Sequence, residues 1–235
     1  LISDWGPVWL LESAPDGTWY HTAAARRLVP DVTANQLISW GTELGDLDND
    51  GLLDAVVVFG QSIRRQGTEN ANKVNEEFQP DAVYMQQPDG TFVDRALDWG
   101  MDDLTSGRGL WFLDFNGDGH LDLFRRDGLG KATLALSRCS DNAWLSVRVK
   151  GVSPNTRGIG VQVLAETAEG TVSGWITAGG RGLGSSGPAV AYLGLGDVEV
   201  VERLVVRWPF GGESAWEDVA VRQQVTVVEA KATEQ

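Results

Sequence analysis

The sequence predicts an all-β protein in two parts, with repeated four-stranded units first and a separate antiparallel β domain after them. Three observations predict this fold. An acidic, glycine-bent loop occurs twice, each time followed by an apolar run typical of a buried strand. A Pro-Asp-Gly turn between two β-type runs also occurs twice. From residue 142 onward, apolar and polar residues alternate in short runs with glycines near them.

The two acidic loops share one pattern. The first runs from Gly45 to Asp54 as GDLDNDGLLD, and the second runs from Leu113 to Asp122 as LDFNGDGHLD. Counted from the first aspartate, acidic or amide side chains occupy positions 1, 3, 5 and 9 in both, and position 6 is glycine. A hard cation such as Ca²⁺ binds six or more oxygen atoms, and a tight loop with alternate side chains turned inward supplies them at one point.

The predicted ligands are side-chain oxygens, completed by the backbone carbonyl at position 7. The ligand sets are Asp46, Asp48, Asp50, Leu52 and Asp54 in the first loop, and Asp114, Asn116, Asp118, His120 and Asp122 in the second. Without a cation, carboxylates this close would repel one another. Solvated turns are the alternative, but two loops with one pattern favour two calcium sites. An EF-hand is excluded, because position 12 is Val57 or Arg125 instead of glutamate.

The chain also contains an internal repeat. The turns at Pro15–Gly17 and Pro88–Gly90 are 73 residues apart, and the acidic loops are 68 residues apart. Two separate features at nearly one spacing indicate a repeated unit. The unit consists of a loop, a buried strand, a connection and a hairpin, and four short strands per unit are typical of a propeller blade. The polar connection 61–80 predicts a long surface excursion.

The tail has the alternation of an antiparallel, sandwich-like β domain. Its alternating runs are 143–151, 158–165, 172–176 and 204–208. This change in sequence pattern predicts two domains, residues 1–140 and residues 141–235.

Composition narrows the possible functions. No apolar run reaches about 18 residues, so no membrane span is predicted. The formal net charge of -14 argues against a nucleic acid partner, because phosphate binding needs a clustered basic surface. The chain has ten tryptophans. We expect most of them to pack between sheets, with an exposed aromatic platform for sugar as the alternative.

These motifs resemble known families. The acidic loops, their strands and the Pro-Asp-Gly hairpins resemble FG-GAP/VCBS repeats, the blades of integrin-α-like β-propellers. The tail resembles the ASPIC/UnbV domain of cartilage acidic protein-like secreted proteins. The segments that carry this second resemblance are 142–145, 153–160, 178–180 with 185–186, 193–196 and 206–212. The resemblance implies a calcium-stabilised propeller with a β cap, extracellular or on a bacterial cell surface, in which binding or adhesion is commoner than catalysis.

The first 140 residues provide about two blades, whereas a propeller needs at least about four to close. Two blades alone would leave an open sheet edge and an exposed apolar face. We therefore expect the chain to be the C-terminal part of a longer protein, or to pack against further blades or neighbouring chains.

Three functions are compatible with these patterns. The first is a non-catalytic, extracellular or cell-surface recognition or adhesion module that binds a protein or glycan ligand and in which calcium is structural. The alternatives are a structural subunit of a surface or filament assembly and part of a polysaccharide-active enzyme. An enzyme would need a carboxylate pair outside the loops or an activating cluster of His, Tyr or Lys. The remaining acids, among them Glu43, Asp94 and Glu166, show no spacing that singles out such a pair, so we predict no enzyme.

Overall fold

A computed structural model describes most of the chain. The described residues are 1–4, 6–29, 37–60, 79–128, 130–137, 140–179 and 185–230. Across these ranges the chain forms twenty strands in seven small sheets, and it contains no helix. The predicted all-β class is therefore confirmed. In the same ranges, no helix could span a membrane.

The strands up to residue 135 include two Pro-Asp-Gly hairpins. Their bounds are β1 (Ile2–Asp4), β2 (Gly6–Trp9), β3 (Leu11–Ser13), β4 (Trp19–His21), β5 (Ser39–Gly45), β6 (Asp54–Phe59), β7 (Gln79–Pro80), β8 (Ala82–Gln86), β9 (Phe92–Asp94), β10 (Leu104–Thr105), β11 (Gly107–Leu113), β12 (Asp122–Asp127) and β13 (Ala132–Ala135). The predicted turns join β3 to β4 and β8 to β9. Gly17 and Gly90 have φ of +83° and +78°, a region that favours glycine.

The strands around the acidic loops repeat at one spacing. β11 and β12 begin and end 68 residues after β5 and β6, and both pairs are antiparallel. Each pair also ends with the same backbone bond. Gly60 donates its N–H to the carbonyl of Ile38 at 3.0 Å, and Gly128 donates to the carbonyl of Ser106 at 2.8 Å. The predicted repeat is therefore confirmed for these strand pairs and the acidic loops between them.

The repeated strand pairs belong to larger sheets. β5, β6, β8 and β9 form a four-stranded antiparallel sheet in chain order, whereas β11, β12 and β13 form a three-stranded sheet. All of β6 is buried, as its apolar sequence predicts. The sheets approach closely at Gly41, where a Cβ atom would lie 2.8 Å from Cβ of Leu110. Residues 61–78 of the predicted connection lie outside the described ranges, and Gln79–Pro80 pairs with β10.

A buried ion-pair network joins these sheets. Arg125 on β12 is 5% exposed and donates to Asp81 at 2.8 Å and to Asp103 at 2.7 Å. Asp81 also accepts the N–H of Phe59 at 2.9 Å and the hydroxyl of Thr105 at 3.2 Å. The hydrogen bonds from Arg125 lower the pKa of Asp103. One guanidinium thus connects β12 with Asp103, directly before β10, and with Asp81, which bonds both β6 and β10.

The C-terminal strands form two sheets around one core. Their bounds are β14 (Ala143–Lys150), β15 (Gln162–Thr167), β16 (Gly170–Trp175), β17 (Ala191–Gly196), β18 (Val200–Arg207), β19 (Glu213–Ala220) and β20 (Gln223–Val228). The strand orders are β17-β14-β20 and β16-β15-β18-β19. The predicted run at 158–165 becomes a strand only from residue 162, because Gly158 and Gly160 turn the chain with φ of +64° and +85°.

The prediction of a wholly antiparallel domain is wrong at one pairing. β14 and β20 are parallel, with Leu145 opposite Gln223 and Lys150 opposite Val228. The physical reason is the path of the chain. β19 lies in the other sheet, so the chain crosses between sheets before β20 and no hairpin forces the antiparallel direction.

The core of the C-terminal sheets is drawn from residues 143–227, yet Tyr192 on β17 packs against the cluster formed by β6, β11 and β12. The described cores are therefore separate but in contact. The division into residues 1–140 and 141–235 stays a prediction.

The prediction that most tryptophans pack between sheets holds only for some of the described residues. Trp208 is buried in the C-terminal core, and Trp40 and Trp99 are half-buried and pack against the cluster formed by β6, β11 and β12. The exposed tryptophans are Trp9, Trp19, Trp175 and Trp216, and Trp5 lies outside the described ranges. The reason is their position on two-stranded hairpins or on the edge strands β16 and β19, where one face of the strand remains uncovered.

Candidate cation loops

The first acidic loop connects β5 to β6, where the chain reverses. Asp46, Asp48 and Asp50 each offer one carboxylate oxygen, and these oxygens lie within 4.8 Å of one another. Asp46 is 7% exposed, whereas Asp50 faces solvent. Oxygen donors at this separation fit a hard divalent cation. The structure therefore brings together the predicted ligands at positions 1, 3 and 5 of this loop.

Backbone N–H groups set the shape of the first loop. The carboxylate of Asp46 accepts the N–H of Asp50 at 3.1 Å and the N–H of Gly51 at 2.8 Å. Asp50 accepts the N–H of Leu52 at 2.8 Å. Gly51 has φ of +90°, which residues with a side chain rarely adopt. The spacing of aspartates around this glycine therefore determines the turn.

The second loop, between β11 and β12, repeats these bonds. Asp114 accepts the N–H groups of Asp118 and Gly119, both at 3.0 Å. Asp118 accepts the N–H of His120 at 3.0 Å. Position 3 is Asn116, whose amide donates to Asp118 at 2.7 Å. The second loop thus has one carboxylate fewer, and we expect it to bind a cation more weakly than the first.

The acids at position 9 lie behind the loops and hold them to the sheets. Asp54, 1% exposed, accepts the N–H of Leu47 at 2.9 Å and the N–H of Gln86 at 2.8 Å. Asp122, fully buried, repeats both bonds at 2.8 and 2.9 Å. These acids do not belong to the close group formed by positions 1, 3 and 5 of the first loop. A carboxylate oxygen has two lone pairs, so each retains capacity for a further bond.

The two residues predicted to offer carbonyls at position 7 lie next to each loop's glycine. Leu52 and His120 are half-buried, and their N–H groups are held by the acid at position 5. Nδ1 of His120 lies 3.1 Å from Nδ2 of Asn49 in the first loop. The loops therefore touch each other, which their sequence pattern did not predict.

Burial raises the pKa of two loop acids to near neutrality. Burial, with a smaller contribution from the charges of Asp50 and Asp48, raises the pKa of Asp46 to about 7. Burial also raises the pKa of Asp54 to about 8. Within the described ranges, the ion pairs do not include these acids. A divalent cation is the charge that would stabilise their ionised forms.

Residues of the C-terminal sheets contact the loops, and the sequence pattern did not predict these contacts either. Nδ2 of Asn142 donates to the carbonyl of Asp48 at 3.0 Å, and the N–H of Gly196 donates to the carbonyl of Asn49 at 2.8 Å. The ring of Trp144 lies on the second loop. An asparagine at position 4 indicated only the local backbone conformation, because asparagine tolerates the left-handed φ of +59° found there.

A cleft of about 360 Å³ opens beside the first loop, between β5, β11 and the C-terminal strands β16 and β17. Trp175 lines this cleft and is 54% exposed. The polar residues Glu43, Asp46, Ser173 and Thr177 also line it. The cleft therefore combines an aromatic surface with hydrogen-bonding groups, as small-molecule sites commonly do.

A comparison with known protein families gives a match in the C-terminal part of the chain. Residues 151–234 match the family model described as ASPIC and UnbV. The matched segment begins directly after β14 and includes β15 to β20. The ASPIC/UnbV part of the resemblance is therefore confirmed, while the FG-GAP/VCBS and cartilage acidic protein-like parts stay predictions. No curated protein matches the chain.

Proposed function

We propose that the chain is a calcium-binding, non-catalytic recognition module of an extracellular or cell-surface protein. The observation that carries this proposal is one loop that occurs twice, with the same glycine, nearly the same acids and matching hydrogen bonds, 68 residues apart. Oxygen-lined loops of this kind are suited to Ca²⁺. In each loop, the acid at position 9 ties the turn to the adjacent strands.

The proposal includes two FG-GAP/VCBS-type propeller blades in residues 1–140 and an ASPIC/UnbV domain in residues 141–235. The antiparallel order β5-β6-β8-β9 supports the first blade, and β11-β12-β13 supports the second. The close approach at Gly41 supports face-to-face packing of neighbouring blades. Among the described residues, the two-stranded sheets β1-β2 and β3-β4 pair with no further strand, so further blades or a neighbouring chain could pair with their edges.

Calcium has a structural role in this proposal. A cation would remove the repulsion among Asp46, Asp48 and Asp50 and would fix the turn between β5 and β6. Asp54 already links that turn to Gln86 at the end of β8. The loop acids are therefore assigned to folding, and no residue is assigned a catalytic step.

The cleft beside the first loop is the proposed ligand site, and a glycan is the ligand that its chemistry fits. The half-exposed ring of Trp175 offers an apolar surface on which a sugar ring can stack. The hydroxyls of Ser173 and Thr177 can donate to and accept from sugar hydroxyls. A protein ligand is the alternative.

Trp175→Ala is expected to weaken glycan binding by at least about tenfold, because the stacking surface is removed. A glycan array followed by titration of the best-bound sugar would measure this change. Trp216→Ala is the matched control, since Trp216 is 40% exposed on the edge strand β19 and does not line the cleft. If the wild-type chain binds no sugar, or if both variants bind equally well, the glycan assignment is wrong.

Calorimetric titration is expected to give two calcium ions per chain. Asp50→Ala should remove the tighter site and Asp118→Ala the weaker one, because each variant deletes the carboxylate at position 5. Asp89→Ala is the control, since Asp89 is an exposed turn aspartate that bonds Thr91 outside both loops. A wild-type chain that binds no calcium would contradict the proposed function.

A further inference from the structure

Asn49, at position 4 of the first loop, contacts two other parts of the molecule. It is 3% exposed and has φ of +59°. Its Nδ2 donates to the carbonyl of Gly119 at 3.2 Å and lies 3.1 Å from Nδ1 of His120. Its carbonyl accepts the N–H of Gly196 at 2.8 Å. Asn49 thus joins the first loop to the second through its side chain and to β17 through its backbone.

The C-terminal sheets cover both loops at this junction. A Cβ atom at Gly194 would overlap the carboxylate of Asp46, so β17 lies directly against the first loop. A Cβ atom at Gly119 would overlap the ring of Trp144, so β14 lies directly against the second. Both loops therefore pack against the sheet that contains β14 and β17, and neither loop can rearrange without disturbing contacts to these strands.

The position of each contact within its loop matters. Asn49 stands between Asp48 and Asp50, two of the predicted ligands, so a cation that holds both acids also holds Asn49. Gly119 and His120 occupy positions 6 and 7 of the second loop, where the predicted carbonyl ligand is. A cation in the first loop would therefore fix Asn49, which contacts the second loop. A cation in the second loop would fix Gly119 and His120, which contact Asn49.

We propose that Asn49 is a positioning residue that couples the two loops, so that a cation bound in one raises the affinity of the other. The inference rests on the proposed calcium binding. Ordering one partner of the Asn49 contacts lowers the entropy cost of ordering the other, and the coupling is reciprocal by linkage. Position 4 of the second loop is Gly117, which has no side chain to form the equivalent bond.

Asn49→Gly tests the proposal with little risk to the fold. Gly117, the matching residue of the second loop, has φ of +77°, so glycine is compatible with this backbone. The variant removes the bonds to the second loop and retains the carbonyl that accepts from Gly196. In calorimetric titrations of the full chain, the wild type should bind its second calcium ion about fivefold more tightly than it would without coupling. Asn49→Gly should bind two ions independently.

A double-mutant comparison isolates the coupling. Asp118→Ala, which disables the second loop, should weaken calcium binding at the first loop about fivefold in the wild-type background. In the Asn49→Gly background it should have no effect on the first loop. Arg27→Gly is the matched control: Arg27 also has φ of +59°, and Gly100, its counterpart in the second unit, has φ of +63°. This variant should titrate as the wild type does.

Hydrogen exchange gives a second readout that does not depend on replacing Asn49. In Asp50→Ala, where calcium occupies the second loop alone, added calcium should still slow exchange at the N–H of Gly196, because that group bonds Asn49. Unchanged exchange there, or independent sites in the wild type, would overturn the coupling and leave the calcium function standing. A wild type that binds no calcium would overturn both.

Discussion

Saturating calcium is expected to raise the melting temperature of the wild-type chain by roughly 10 °C or more over its value in a chelator. At about 100 times the dissociation constant, each site contributes about 2.7 kcal/mol. For a chain of this size, about 1 kcal/mol corresponds to roughly 2–4 °C. The physical source is the relief of repulsion among Asp46, Asp48 and Asp50. Circular dichroism or fluorimetric melts with calcium and with chelator would measure the difference.

The calcium-dependent rise in melting temperature should be lost when the loop carboxylates are removed. A double variant, Asp50→Ala with Asp118→Ala, should melt at the same temperature with and without calcium. The control Asp89→Ala should respond as the wild type does, because its carboxylate bonds Thr91, outside both loops. An identical wild-type melting temperature in calcium and in chelator would contradict a structural role for the ion.

The calcium response should also grow with pH. In the folded chain the pKa of Asp46 is about 7 and that of Asp54 about 8, both far above an unfolded aspartate. Between about pH 4 and these values the folded state retains protons that the unfolded chain has released. Stability in chelator should therefore fall as pH rises toward about 8. Calcium binds the ionised acids, so its stabilising effect should be larger at about pH 8 than at about pH 5.

Arg125→Leu is expected to lower the free energy of unfolding by about 3–5 kcal/mol, the typical cost of breaking a buried ion pair on one side. The variant leaves the carboxylate of Asp81, 2% exposed, without its counter-charge. It also removes the ion pair between β12 and Asp103, the residue directly before β10. Denaturant unfolding followed by fluorescence would measure the change.

Two further variants separate charge burial from general damage to β12. Arg126→Leu replaces the next residue, which is exposed, and should change the free energy of unfolding by no more than about 0.5 kcal/mol. Adding Asp81→Asn to Arg125→Leu should restore part of the loss, because a neutral amide costs less to bury than an unpaired carboxylate. An Arg125→Leu variant as stable as the wild type would show that this network does not stabilise the fold.

Sequence reasoning predicted the loops well because their geometry is local. The acids of the first loop bond N–H groups only a few residues away, and Gly51 adopts the φ that its position requires. The buried strand β6 was predicted equally well, since its residues 55–59 are all Ala, Val or Phe. Such features depend on neighbours in the chain, which a sequence displays directly.

Features that depend on distant residues were not predictable. The parallel pairing of β14 with β20 joins residues about 80 positions apart, and alternation carries no information on strand direction. The exposure of Trp175 depends on which strand becomes the sheet edge. The contacts of Asn49 with Gly119 and Gly196 appear only when three segments meet. A pattern search identifies the loops but not what holds them together.

The position of Trp144 on Gly119 has a practical consequence. Indole emission responds to changes in its immediate surroundings, so an ion entering the second loop would alter the light that this ring emits. Under the proposed calcium binding, Trp144 would therefore be an intrinsic fluorescence probe of the second loop. Because the ring belongs to β14, the same signal would also register any separation of the C-terminal sheets from the loop.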